Sequence, residues 1–166
     1  MTDYDLMISQ LRAFGESEPH FMPFLANASA LLWQTLDRIN WAGFYLIQGT
    51  DLLLGPFQGK PACIRIGSGK GVCGSALSQD TPLVVPDVHL FSGHIACDSA
   101  SASEIVIPLH FDGQKVGVLD IDSPEKARFS ETDKEKLLEF VSVIEELGDF
   151  RPWLLSQEAS AAAERP

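Results

Sequence analysis

Apolar residues recur at helical spacing at both ends of this chain and alternate in strand fashion through its middle. Tyr4, Met7, Ile8, Leu11 and Phe14 mark one amphipathic helix, which Gly15 and Pro19 bring to a close. Phe21, Leu25, Ala28, Leu32 and Leu36 mark a second, with Pro23 tolerated in its first turn. From Ile39 the period changes. Trp41 to Ile47 and Leu52 to Phe57 form a predicted hairpin about Gly49-Thr50-Asp51. Cys63 to Ile66 reads as a short strand, Val72 to Ser78 as a short helix, and Leu83 to Val85 as a strand stopped by Pro86. A long polar loop follows. Glu104 to Phe111 and Lys115 to Asp122 then flank Asp112-Gly113, a pair suited to the left-handed backbone of a type I′ turn. Ser130 caps a last helix with an acidic first turn, which runs through Leu137, Phe140, Val141, Ile144 and Leu147 to Gly148.

This order predicts an α+β fold, a central antiparallel sheet flanked by helices, and excludes a doubly wound one. The chain has 166 residues and contains neither a repeat nor a linker, so residues 1–156 are expected to form a single domain. The stretch 157–166, rich in Ala, Ser and Glu, is expected to be a disordered tail. With 12 Lys and Arg against 23 Asp and Glu, the net charge of −11 argues against nucleic-acid or anionic-membrane partners. It leaves room for a small zwitterionic or cationic ligand. No apolar run reaches the roughly 20 residues that span a bilayer, and the acidic start is no signal peptide. A cytoplasmic protein is expected. The sequence leaves a homodimer open.

The three cysteines, Cys63, Cys73 and Cys97, form no C-x-x-C pair, and an odd number in a reducing compartment is no disulfide framework. Cys97 lies in the long loop, beside Asp98 and three residues after His94. An adjacent anion discourages the thiolate and a nearby His could offset it. His89, His94 and Cys97 with a carboxylate offer zinc-ligand types, but at a spacing that matches no common zinc motif, and no metal is expected. Gly69 to Gly74 fit G-x-G-x-x-G without the strand–helix–strand context of a dinucleotide site, and Gly71 stands where a phosphate loop needs Ser or Thr. A tight turn into a helix accounts for them better. Asp120 and Asp122 share one face of an otherwise aliphatic strand, and Glu104 opens its partner. Either that face is solvated, or the three carboxylates crowd together and at least one keeps its proton. Trp41 and Tyr45 likewise share a face, as core or as pocket wall.

Six ordered blocks, Asn40 to Tyr45, Gly55 to Lys60, Gly71 to Gly74, Gly93 to Asp98, Ser103 to Val106 and Gly117 to Ser123, resemble the free methionine-(R)-sulfoxide reductases. These are stand-alone GAF-domain enzymes, and the resemblance runs from about Phe24 to Val143. It implies a GAF sheet of about six antiparallel strands around a small pocket. It implies that Cys97 is the nucleophile, Cys63 the resolving thiol and Cys73 an auxiliary one. Trp41, Tyr45, Glu104, Asp120 and Asp122 match the family's substrate pocket, with Glu104 and Asp122 also candidates for the acid chemistry. The implied reaction is reduction of free L-methionine-(R)-sulfoxide through a Cys sulfenic acid and an intramolecular disulfide, recycled by thioredoxin without a cofactor. The alternatives are a non-catalytic GAF sensor of a small ligand, since one fold serves many functions, and a metal-dependent hydrolase.

Overall fold

The computed structural model describes residues 2–93 and 100–163. Two helices, α1 (Tyr4–Ser17) and α2 (Phe21–Thr35), precede the hairpin β1 (Trp41–Gln48) and β2 (Asp51–Gly59). A short β3 (Arg65–Ile66), α3 (Gly71–Gln79) and β4 (Leu83–Val85) follow. The hairpin β5 (Ser103–Phe111) and β6 (Gln114–Ser123) leads into α4 (Glu131–Leu147) and α5 (Arg151–Ala163). The strands make one six-stranded sheet, ordered β3-β2-β1-β6-β5-β4, with antiparallel neighbours throughout. Among the described residues no helix is long and apolar enough to cross a membrane.

Local chemistry accounts for the elements. The Asp3 side chain accepts from the Leu6 N–H at the start of α1, and Ser130 with Asp133 forms a reciprocal capping box on α4. Pro23 sits in the first turn of α2, where its missing N–H has no helical partner to lose. Asp112 and Gly113 both take positive φ, 51° and 75°, as the β5–β6 turn demands. Where composition predicts a tail, the chain is helical to Ala163, although α5 buries no residue. Its Trp153 donates from Nε1 to the Ile47 carbonyl at 2.9 Å and packs against Phe21.

The sheet has a covered face and a hollow one. Alternation sends Ala42, Phe44 and Leu46 of β1, with Ile105, Ile107, Leu109, Leu119 and Ile121 of β5 and β6, into a core under α1, α2 and α4. The opposite parity sends Trp41, Tyr45, Val106 and Val118 toward α3, which is too short to cover its face. A pocket forms where that cover is incomplete.

Candidate active site

Strand register assembles the pocket floor. Trp41 lies directly across from Asp122, and Asp122 directly across from Glu104, so one transverse row of three strands carries all three. The next row places Gly43 beside Asp120 and Asp120 beside Val106. Gly43 contributes no side chain there and cannot be enlarged, since a Cβ would stand 2.3 Å from Phe57 Cβ. Phe57 in turn stacks on Trp41 at 5.2 Å, and Trp41 on Tyr45 at 5.8 Å, making one aromatic wall.

The roof is the connection between β2 and β3. The Trp41 Nε1–H donates to the Lys60 carbonyl at 3.2 Å, and the Tyr45 hydroxyl to the Cys63 carbonyl at 2.9 Å. The two aromatics therefore hold the segment that carries Cys63 over the pocket. Cys63 is disulfide-bonded, and Cys73 is a free, buried thiol on α3. The N-terminus of α3 opens on the same space and has no side-chain cap. Together these elements border a pocket open to solvent, with about 530 Å³ of free space including the solvent at its mouth.

Charge gives the pocket its character. Glu104 and Asp120 are both only 6% exposed, so these two carboxylates are withdrawn from solvent, while Asp122 is half-buried at the pocket's rim. Burial, followed by the charges of Asp120 and Asp122, pushes the Glu104 carboxyl well above its ordinary range. Burial pushes Asp120 up to about 6, against the stabilising hydrogen bonds of Cys73 and Glu104. Both shifts favour the protonated acid, and Glu104 and Asp120 are coupled through it. Burial and the surrounding carboxylates also hold Cys73 as a thiol, with its Sγ 3.9 Å from Glu104 Oε1. Among the described residues Asp120 Oδ1 is buried without a hydrogen-bond partner, leaving an acceptor on the pocket wall.

The register thus gathers Trp41, Tyr45, Cys73, Glu104, Asp120 and Asp122 around one cavity, with Cys63 at its edge. Cys97 and His94 lie outside the described residues. His89 is exposed on a 3-10 turn, Val88–Leu90. Cys73, Glu104 and Asp120 bring ligand atoms within 4.8 Å of one another, but the raised pKa values of Cys73 and Glu104 set any zinc binding there against protonation. Sequence reading passed over Ser101 and Lys70, which also line the pocket. Neither stands in a periodic pattern. Ser101 is brought in by the loop exit, where the Asn40 Nδ2 donates to its hydroxyl at 3.2 Å.

Comparison with known proteins identifies this architecture. A family model described as GAF domain matches residues 20–146. The free methionine-R-sulfoxide reductase of Escherichia coli (strain K12) is 52% identical over 130 residues, covering 78% of this chain and 79% of that protein. The chain belongs to this family of GAF-domain reductases. The reduced form of fRMsr of Staphylococcus aureus superposes with a TM-score of 0.86 at 52% identity, covering 89% of this chain and 96% of that one. The free methionine-R-sulfoxide reductase from Neisseria meningitidis, solved in complex with its substrate, is 40% identical at a TM-score of 0.84, covering 96% and 91%. The reductases therefore share the fold described above.

Proposed function

We propose that the chain reduces free L-methionine-(R)-sulfoxide to methionine, with Cys97 as nucleophile and Glu104 as the acid. The observation that carries this reading is a buried Glu104, its carboxyl raised by burial and by neighbouring carboxylates, beside Asp120 Oδ1 and under an aromatic wall. A sulfoxide sulfur becomes electrophilic when its oxygen is protonated, and an acid with a raised pKa supplies that proton. The Cys97 thiolate attacks, the sulfoxide oxygen passes to Cys97 as a sulfenic acid, and methionine leaves. Cys63 then attacks the sulfenic sulfur, releasing water and forming a disulfide. A dithiol such as thioredoxin takes up that oxidation and is itself left as a disulfide. The redox balance is one sulfoxide reduced and one dithiol oxidised.

The pocket's other groups fit a free amino acid. Asp120 and Asp122 would receive the ammonium group, and Trp41 would face the methyl group. The uncapped N-terminus of α3 suits the carboxylate, because its N–H groups and dipole favour an anion. A peptide-bound sulfoxide lacks both charges. Thiol chemistry of this kind suits a reducing cytoplasm. The test is a coupled assay with thioredoxin, its reductase and NADPH on the R and S forms of free methionine sulfoxide and on a peptide-bound form. Consumption of NADPH with the free R form alone, lost in Cys97→Ser, is the expected outcome. A ligand sensor would bind and consume none, and that result would return the fold to a sensory role.

A further inference from the structure

Resting on the reading above, we propose that the segment around Cys63 is the docking surface for the reductant, and that it takes an acidic dithiol protein. From Leu52 to Gln79 the chain has no Asp or Glu, in a protein of net charge −11. The same stretch carries Lys60, Arg65 and Lys70, all exposed. Among the described residues none of these three pairs with a carboxylate. Arg65 Nη2 donates at 2.5 Å to Gln48 Oε1, a neutral acceptor that leaves its charge available. Every other described Lys or Arg is engaged, by a carboxylate or, for Lys115, by the Leu77 carbonyl. Among the described residues, the cations without a carboxylate partner, Lys115 apart, therefore all lie in the stretch that carries Cys63, with Lys60 and Arg65 flanking it.

That cysteine also has an apolar neighbour on the surface. Ile64 is 69% exposed, although its carbonyl is fixed by the Leu54 N–H at 2.9 Å. Chain connectivity alone keeps the Cα atoms of Lys60 and Arg65 within about 11 Å of Cys63, inside the footprint of a small protein. The cations would steer an acidic partner and Ile64 would anchor it, while the partner's thiolate reaches Cys63. In the exchange that thiolate bonds to Cys63 Sγ and the existing disulfide breaks, releasing its other sulfur as a thiolate. The partner's second thiol then displaces Cys63. Two electrons pass from the dithiol to the protein's disulfide, and the two thiol protons pass to the released sulfurs.

The experiment compares two reductants on the whole chain: bacterial thioredoxin with its reductase and NADPH, and dithiothreitol, which needs no docking surface. In Lys60→Glu/Arg65→Glu the KM for thioredoxin should rise about tenfold or more, and in Ile64→Asp severalfold, with dithiothreitol-supported turnover within about twofold of the parent. The parent's KM for thioredoxin should rise with salt, and the double variant's should not. A thioredoxin KM unchanged in both variants overturns the proposal, as does an equal fall with both reductants. If the parent uses dithiothreitol but not thioredoxin, the acidic dithiol partner is wrong. If it turns over with neither, the reading of the site fails first and the surface with it.

Discussion

Burial raises the Glu104 pKa first and the charges of Asp120 and Asp122 add to it, while the Cys73 thiol works the other way. These contributions have opposite signs, so two substitutions should move one titration in opposite directions. If the protonated acid drives reduction, single-turnover rate falls on the alkaline side as Glu104 ionises. Asp122→Asn removes a repelling charge, lowers the Glu104 pKa and shifts that limb to lower pH. It should also cost roughly 1.5–3 kcal/mol in kcat/KM if the carboxylate grips the ammonium group. Cys73→Ala removes a donor to the ionised form and shifts the limb to higher pH. Stopped-flow profiles without a recycling reductant measure both, and two unmoved limbs would take the acid role away from Glu104. The thiols separate in the same assay. Cys63→Ser should still release about one methionine per enzyme, because oxygen transfer precedes the resolving step. It should not continue with thioredoxin.

The hairpin of β1 and β2 is the element on which the wall of the pocket depends. Its register shifts between Gly43 and Tyr45, and that irregularity brings the β2 backbone against Gly43, with the Pro56 carbonyl 2.7 Å from where a Cβ would stand. Gly43→Ala must open the hairpin and should destabilise the fold by roughly 1–3 kcal/mol. Because Phe57 backs Trp41, the KM for the sulfoxide should rise as well; urea titration and steady-state kinetics check the two effects. At the other end of the chain, α5 buries nothing and holds on through Trp153, which precedes residue 157. We propose that 1–156 suffices as a folding unit. Deleting 157–166 should shift Tm by no more than about 2 °C, since little packing is lost.

For the molecule as a whole, titrating groups of opposite sense bound its stability. Asp133 is held below the ordinary carboxylate range, its burial outweighed by Tyr4, Ser130 and Arg128. Its contribution is present above the unfolded value near 4 and is lost as pH falls through the depressed one. Glu104 and Asp120 are raised, so the folded state binds their protons more tightly and stability is lost as pH rises from about 4 through their folded values. His110 acts in the same sense: burial lowers its pKa, but hydrogen bonds to Glu145 and Asp80 outweigh that and raise it. Tm of the reduced, ligand-free protein should therefore peak near pH 5 and fall toward pH 8. Asp120, raised to about 6, accounts for at most roughly 3 kcal/mol of that fall. Asp120→Asn should flatten the alkaline side, and a flat parent profile would contradict the burial of these acids.

The sequence by itself determined the elements as far as α4, their antiparallel pairing and the family, but not α5, whose helix runs where composition predicts a tail. Period-two alternation, the Asp112-Gly113 turn and the Ser130 cap are local signals, and each holds in the folded chain. It also determined which residues share a face, because side-chain direction on a strand follows from parity alone. It could not decide whether the face bearing Asp120 and Asp122 was wet or dry. Both outcomes share one alternation, and what separates them is the cover laid over the strand by α3 and by the connection carrying Cys63. That cover comes from residues distant in sequence, as does the cross-strand meeting of Trp41, Asp122 and Glu104. Only the tertiary structure turned three carboxylates into an acid, because a proton is retained only where water is excluded and like charges are forced together.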